Sequence, residues 1–202
     1  MNEKLISVIL TGGKSSRMNN QNKSFLKIKQ INFIENIVNS LKEKTSLICI
    51  NANKDFEEYK YLGLKVIEDK IKGYKGPLAG LHSAMNYYKD TYENVWFAIF
   101  PTDAPIINTD LIDLFYLQNK SKVKAFICKI NNNIEPMFSF WSLDCFNHLD
   151  KILRENDGYK IMKFADEIGF DFLEISKKNE AEFFNVNDVD DYEYLVNLIK
   201  NH

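Results

Sequence analysis

The stretch Leu5-Ile-Ser-Val-Ile-Leu10, followed by Thr11-Gly-Gly-Lys-Ser-Ser-Arg17-Met18, decides the fold that we expect for the rest of the chain. Six mostly apolar residues predict a buried strand, and Gly12-Gly13 marks the point where that strand becomes a loop. Glycine lets backbone amides come close to an anion, so such a loop can wrap around phosphate groups. A plain tight turn explains the two glycines equally well on this stretch alone.

Two better-known phosphate-binding motifs do not fit the loop. A Walker loop ending at Gly13-Lys14-Ser15 requires a glycine at position 8, where Val8 lies inside the predicted strand. The dinucleotide-binding pattern G-x-G-x-x-G requires a third glycine in register, and none follows Gly12-Gly13 before a helix. A phosphate-binding loop here therefore belongs to another class of site.

Length and charge restrict the class of protein. The 202 residues are 45% hydrophobic, which is enough to bury a sizeable core, so we expect one domain over 1–202 with room for a small subdomain. The 26 basic and 28 acidic residues give a net charge of −2. This balance predicts no bulk attraction to nucleic acid or to an anionic membrane.

The cysteines and the N-terminal residues indicate the compartment. Cys49, Cys128 and Cys145 are odd in number and lack C-x-x-C spacing, so we expect reduced, buried thiols rather than disulfides or a zinc site. The residues before the first strand offer no signal-peptide core, and no run of about 18 apolar residues exists for a membrane span. We therefore expect a soluble cytoplasmic protein.

Further apolar runs alternate with helical patterns, which is typical of a mostly parallel sheet covered by helices. After the first strand, we predict strands at 46–50, 64–67, 95–100, 123–130, 134–141 and 170–175. We predict helices at 33–44, 55–62, 80–88, 108–118, about 144–154, 159–167 and 188–199. The glycine-containing segment 70–79 is predicted to be a loop.

Polar residues follow each of the first four predicted strands. They are Thr11 with its glycines, Asn51, Glu68-Asp69 and Asp103. Because ligands of open parallel sheets bind beyond the carboxyl ends of the strands, we expect these groups to meet at one edge. This convergence is more specific than the two glycines alone.

Each of these residues has a functional and an ordinary structural interpretation. Asp103 suits a magnesium ligand, or it caps a turn. Asn51 can read a base edge or ribose, or it stabilises a turn through its own amide. Asp69 can accept the ring N–H groups that distinguish guanine from adenine, or it is a solvated carboxylate.

Basic residues near the loop suit a triphosphate. Lys14, Arg17 and Lys23 lie within ten residues of one another and can neutralise a leaving pyrophosphate, although surface exposure is the common fate of such residues. His82 and His148 lie in predicted helices with no second ligand nearby, so we interpret both as structural.

The segment from Leu10 to Met18, together with Lys23, resembles the signature of nucleotidyltransferases of the sugar-nucleotide pyrophosphorylase type. Other stretches narrow the resemblance to the molybdenum cofactor guanylyltransferases, and they extend over nearly the whole chain. They are Ile50-Asn51-Ala-Asn53, Val66-Ile-Glu-Asp69, Gly76-Pro-Leu-Ala-Gly80, Pro101-Thr-Asp103-Ala-Pro105, Glu135-Pro136 and Phe184-Asn185-Val-Asn187. The chain departs from the family at Asn19-Asn20-Gln21-Asn22, where relatives often have two glycines and an aspartate, and at Glu135, where they frequently have histidine.

This resemblance implies a three-layer, Rossmann-like α/β fold of the nucleotide-diphospho-sugar transferase type. It implies transfer of GMP from GTP to molybdopterin with release of pyrophosphate, and it divides the domain into a nucleotide half at about 1–107 and an acceptor half at about 108–202. Arg17, Lys23 and Asp103 would be catalytic, with Asp103 also the Mg²⁺ ligand, and Asn185 and Asn187 would bind the acceptor. The implied nucleotide contacts are Leu10, Thr11, Gly12, Gly13, Lys23, Asn51, Asp69 and Asp103.

Other functions on the same fold stay open from the sequence. A sister enzyme could move CMP to molybdopterin, or a nucleotide to a sugar phosphate, because the phosphate loop and the aspartate serve all of them. From a different class, the chain could be a non-catalytic carrier of GTP or molybdopterin. For the enzyme, the resemblance implies GTP and molybdopterin as substrates, and as possible partners the proteins that deliver molybdopterin and the molybdoenzymes that receive the product.

Overall fold

A computed structural model describes residues 4–12, 22–73, 76–119 and 122–200. The strands are β1 (Lys4–Leu10), β2 (Lys27–Ile28), β3 (Ile31–Asn32), β4 (Leu47–Asn51), β5 (Lys65–Ile67), β6 (Val95–Pro101), β7 (Ala125–Ile130), β8 (Asn133–Ser142) and β9 (Phe170–Ile175). The α-helices are α1 (Phe33–Leu41), α2 (Pro77–Tyr88), α3 (Asp110–Gln118), α4 (Phe146–Glu155), α5 (Ile161–Ile168) and α6 (Val189–Lys200). Short 3₁₀ helices span Lys23–Phe25, Phe56–Leu62 and Leu143–Cys145.

Seven strands form one sheet in the order β5-β4-β1-β6-β8-β7-β9. The strands β5, β4, β1 and β6 run parallel to one another, and β7 runs parallel to β9. The long strand β8 runs antiparallel between β6 and β7. The expectation of a mostly parallel sheet is therefore confirmed, with one inverted strand inside it.

Side chains alternate between the two faces of the sheet, and both faces are covered. In β1, Leu5 and Ile9 join the core that contains residues of α1 and α3, whereas Ile6 and Val8 join the core that contains residues of α2, α4 and α5. A strand with both faces buried reads as a continuous apolar run, because each face meets a helical layer. The three-layer α/β fold expected from the resemblance is thus confirmed.

The structure corrects one prediction near the site and adds one element that was not predicted. Helix α2 begins at Pro77 and not at Gly80, so the expectation that a loop extends to 79 is wrong. Gly76 takes a positive φ of 79° directly before it, and proline is favoured at the first helical position because its fixed φ suits a helix and its missing N–H costs no bond there. The hairpin β2–β3 was not expected, since its turn residues Lys29 and Gln30 adopt positive φ without the usual glycine or asparagine.

The cysteines behave as expected. All three are free and buried, and burial raises the pKa of Cys49 to about 12 because the thiolate would lose its hydration. Among the described residues, no helix is both long and apolar enough to cross a membrane.

A smaller third core brings the C-terminal part of the chain back to the first strands. Val186, in the segment before α6, and Leu195 of α6 pack with Ile28 and Phe33 near the hairpin. This packing fixes the segment 181–187 along the carboxyl edge of the sheet, where Phe183 N–H donates to the carbonyl of Ile106 at 2.8 Å.

Candidate active site

The carboxyl ends of the parallel strands lie level with one another. Leu10 pairs with Asn51 on one side and with Pro101 on the other. The backbone N–H of Thr11 donates to the carbonyl of Asn51 at 3.0 Å, and that of Thr102 donates to the carbonyl of Leu10 at 3.1 Å. The loops after β1, β4 and β6 therefore start side by side, as the sequence predicted.

A cleft with about 680 Å³ of empty space opens at this edge. Its walls come from the loops after β1, β4 and β6, from the 3₁₀ helix Lys23–Phe25, from β8 and from the segment before α6. The lining residues are Leu10, Thr11, Gly12, Asn22, Lys23, Lys54, Pro101, Thr102, Asp103, Met137 and Asn187. The structure thus brings six of the predicted site residues into one concave surface.

Lys23 and Asp103 form the charged centre of the cleft. Burial raises the pKa of the Asp103 carboxyl above its usual value, while the positive charge of Lys23 acts in the opposite direction. Val186 joins the two, because its carbonyl accepts from Lys23 Nζ at 2.8 Å and its N–H donates to the backbone carbonyl of Asp103 at 2.7 Å. A lysine and an aspartate that are 80 residues apart are therefore held together by a third segment.

Asn51 and Asp69 form a second polar group at the ends of β4 and β5. Asn51 Nδ2 donates to Asp69 Oδ1 at 2.9 Å and to the carbonyl of Ile67 at 3.1 Å. Asn53 holds the other carboxylate oxygen, donating to Asp69 Oδ2 at 2.7 Å and accepting from the Asp69 N–H at 2.9 Å. Asp69 is thus oriented by two amides, although neither Asn51 nor Asp69 lies on the wall of the cleft just described.

Gly80 leaves the space that Asn51 occupies. A Cβ at position 80 would lie 2.4 Å from Asn51 Oδ1 and 2.6 Å from Leu10 Cδ2. Both distances are far below van der Waals contact, so a larger residue would push the amide away. The first turns of helix α2 therefore pack directly against the side chain of Asn51.

The two predicted acceptor residues have different positions. Asn187 lies on the wall of the cleft, and its N–H donates to Asp191 Oδ2 at 2.8 Å. Asn185 is exposed and is not on that wall. The structure thus brings only Asn187 together with the predicted nucleotide residues.

Part of the predicted phosphate loop lies outside the described residues. This holds for Gly13, Lys14 and Arg17. Gly12 is described, and a Cβ at its position would meet no atom of the described residues within 4 Å. The packing of the described residues therefore leaves room at Gly12 for a group to approach the backbone closely.

Several residues of the site were not predicted from the sequence. Asn53, which binds Asp69, and Lys54, which lines the cleft, lie in the turn after β4, and their place behind a strand end was a usable signal. Met137 carries no such signal, since it reaches the cleft only because β8 is inserted beside β6.

The donor set of the cleft suits a hard cation. Among the described residues, no group of three or more His, Cys, Asp or Glu side chains could enclose a metal ion. Mg²⁺ needs no such cage, because it is usually bound through one or two carboxylates and keeps water and substrate phosphates as its other ligands. The carboxylate of Asp103 and the nearby neutral oxygens therefore fit Mg²⁺ as a partner of a bound triphosphate.

Both predicted structural histidines pair with carboxylates of neighbouring helices. His82 is fully buried, stacks on Phe146 and lies 2.8 Å from Asp150 through Nε2. His148 lies 3.1 Å from Glu167. Neither histidine lines the cleft.

The comparison with known families decides the class of protein. Residues 7–168 match the family model of the MobA-like NTP transferase domain. The chain belongs to this family. It is thus a nucleotidyltransferase, as the resemblance indicated.

Relatives and solved structures of the MobA-like family agree. A protein of Clostridium perfringens named probable molybdenum cofactor guanylyltransferase is 39% identical over 94% of this chain and 95% of its own length. A molybdenum cofactor guanylyltransferase of Yersinia pestis is 30% identical over 93% of this chain and 92% of its own length. The molybdopterin-guanine dinucleotide biosynthesis protein A of Archaeoglobus fulgidus has 17% identity and a TM-score of 0.77 over 98% of this chain and 100% of its own, which shows the shared fold.

Proposed function

We propose that the protein transfers GMP from GTP to molybdopterin and releases pyrophosphate. The observation that carries the proposal is the cleft that joins Lys23, Asp103 and Asn187 at the carboxyl edge of the sheet, in a chain whose relatives are named for this activity. A cytidylyltransferase, a sugar-phosphate nucleotidyltransferase or a non-catalytic carrier rests on the general fold alone.

The reaction needs positioning more than it needs a base. The acceptor is a phosphate monoester whose oxygen attacks the α-phosphorus of GTP, while the bond from that phosphorus to the bridging oxygen of the β-phosphate breaks. The electron pair of the broken bond leaves with pyrophosphate. Such a transfer depends on alignment in line and on neutralising the charge that develops on the leaving group.

The chain offers cations for this task. Lys23 is half-buried, and its bond to Val186 uses one of the three donors of an ammonium. Lys54 contributes a second positive charge to the same wall. Arg17 and the amides of Gly12 and Gly13 complete the proposed phosphate contacts. Asp103 would hold Mg²⁺, which when bound neutralises phosphate charge.

In the proposal, the guanine base and the molybdopterin acceptor bind on opposite sides of Lys23 and Asp103. Asp69, oriented by Asn51 and Asn53, accepts the N–H groups of guanine. Asn187, with Asn185 beside it, contacts molybdopterin. The nucleotide half at about 1–107 and the acceptor half at about 108–202 are part of the same proposal, as are a cytoplasmic location and partner proteins that deliver molybdopterin or receive its product.

Replacing Asp103 tests the proposed centre. Asp103→Ala should lower pyrophosphate release from GTP, Mg²⁺ and molybdopterin by about 100-fold or more, since a central charge-stabilising group commonly contributes on the order of 2.7–4 kcal/mol to the barrier. Asp113→Ala is the matched control, because Asp113 forms a surface ion pair with Lys44 and does not line the cleft. Release at the rate of the unchanged protein by Asp103→Ala would overturn the role of Asp103.

A further inference from the structure

Asn22 makes a set of hydrogen bonds directly before Lys23 that the proposed chemistry does not use. Its Oδ1 accepts from the N–H of Ser24 at 3.1 Å and so caps the 3₁₀ helix Lys23–Phe25. Its Nδ2 donates to Asp55 Oδ2 at 3.1 Å and to the hydroxyl of Tyr59 at 3.0 Å. Both amide donors and the amide oxygen are thus engaged, which fixes the orientation of the side chain.

The partners of Asn22 lie at the start of the 3₁₀ helix Phe56–Leu62 and within it. Tyr59 is fully buried, and its hydroxyl lies 3.2 Å from Ser24 Oγ. Asp55 adopts a left-handed φ of 57° at the start of the 3₁₀ helix Phe56–Leu62, two residues after Asn53. The turn after β4 therefore reaches both Asp69, through Asn53, and the segment that carries Lys23, through Asp55.

Lys23 is held at both ends. Asn22 and the capped 3₁₀ helix fix its backbone, and the carbonyl of Val186 accepts from its ammonium at 2.8 Å. An ammonium has three donors, and the hydrogen bond to Val186 uses one of them. A lysine restrained in this way loses little freedom when it binds a phosphate, and small displacements of a catalytic group can reduce rates about 100-fold.

We propose that Asn22 and Asp55 form a positioning pair that sets Lys23 against the phosphate groups of the bound nucleotide. The inference rests on the proposed function in so far as it takes Lys23 to contact phosphate. The pair works by donation from a neutral amide to a carboxylate, so the chemistry at position 22 matters as much as its size. A carboxylate at position 22 would lose both donors and would face the like charge of Asp55.

A swap of the two groups tests the pair. Asn22→Asp should lower kcat/KM for GTP at least tenfold, because the segment before Lys23 loses its anchor. Adding Asp55→Asn restores a hydrogen bond between an amide and a carboxylate, with the amide now at position 55. The kcat/KM of the double variant should therefore recover to within about threefold of that of the unchanged protein. Failure of the second substitution to rescue the first would overturn the pairing.

Asn32→Asp is the matched control. Asn32 also donates through Nδ2 to a tyrosine hydroxyl, that of Tyr61 at 3.0 Å, but it lies outside the cleft wall. The substitution keeps a side chain that can cap α1, since asparagine and aspartate are both good N-caps. Its kcat/KM should therefore stay unchanged, and an equal loss at Asn22 and Asn32 would contradict a specific role.

A double-mutant cycle with Lys23 separates positioning from general stability. Equilibrium binding of GTP, and of inorganic tripolyphosphate as a probe without a base, is measured for the unchanged chain, Asn22→Asp, Lys23→Ala and the double variant. If Asn22 acts through Lys23, Asn22→Asp should weaken binding about tenfold alone and less than twofold in the Lys23→Ala background. Equal losses in the two backgrounds would overturn the proposal.

The same measurements distinguish this proposal from the proposed function. If the unchanged chain bound tripolyphosphate as tightly as GTP, the proposed function would be contradicted, while the cycle would still decide the role of Asn22.

Discussion

Asp103 has to remain ionised in a place that disfavours charge. Burial raises the pKa of its carboxyl, and the nearby Lys23 only partly offsets this effect. A carboxylate in this position attracts cations strongly, because few water molecules compensate its charge. For the same reason, the ionised carboxylate lowers the free energy of unfolding when no cation is bound.

The pH dependence of stability should reveal this cost. A carboxyl whose folded pKa lies above its unfolded value contributes stability at low pH that is lost as the pH rises through the folded pKa. In the absence of metal and nucleotide, the free energy of unfolding of the unchanged protein should therefore fall relative to that of Asp103→Asn as the pH rises above the usual range of an aspartate pKa. Urea denaturation of both proteins at several pH values measures the difference. A difference that is constant, or that grows in favour of the unchanged protein, would contradict the burial of this charge.

The sequence alone predicted the positions of some residues at this edge of the sheet and not the contacts of others. Thr11, Asn51, Asp69 and Asp103 could be found because each follows a recognisable strand, and parallel strands end at one edge. The contact of Lys23 with Val186 could not be found, since it joins residues 163 positions apart through packing of the third core.

At the scale of elements, the first turn of α2 shows where pattern reasoning failed. Gly76 and Pro77 look like loop residues, yet proline is well suited to begin a helix and Gly76 to precede it. Nine residues of α2 are buried, because one side of the helix packs on the sheet and the other on α4. The sequence of α2 therefore shows little difference between an apolar and a polar face. The hairpin β2–β3 was missed for a similar reason, as two-residue strands leave no period to detect.

The position of Gly80 in α2 carries a prediction about that element. In an exposed helix, Gly→Ala adds about 1 kcal/mol of stability, but here the new Cβ would meet Asn51 Oδ1 at 2.4 Å. We expect Gly80→Ala to displace Asn51 and to weaken GTP binding about tenfold or more, as measured by calorimetry.

Gly169→Ala provides the control for Gly80→Ala. Gly169 ends α5 with a positive φ of 84° and open space around its Cβ position, so alanine there strains the backbone without touching the cleft. Its GTP affinity should not change even if its melting temperature falls. Unchanged affinity in Gly80→Ala would show that Asn51 does not depend on this contact.

At the scale of the whole molecule, the order of elements was predictable and the closure of the site was not. The alternation of strands and helices indicated a covered, mostly parallel sheet, because the pattern is local. The insertion of β8 beside β6 and the return of 181–187 to Asp103 depend on contacts between distant segments. These contacts make the cleft a product of both ends of the chain, with Val186 and Asn187 lying beyond the residues matched by the family model.

Pyrophosphate release tests the central claim most directly. The protein is incubated with Mg²⁺ and molybdopterin and with GTP, ATP, CTP or UTP in turn, and each nucleotide is also tested without molybdopterin. The account predicts release with GTP that requires molybdopterin, and much slower release with the other three nucleotides. Equal release with CTP or ATP, or no release with GTP and molybdopterin together, would contradict it.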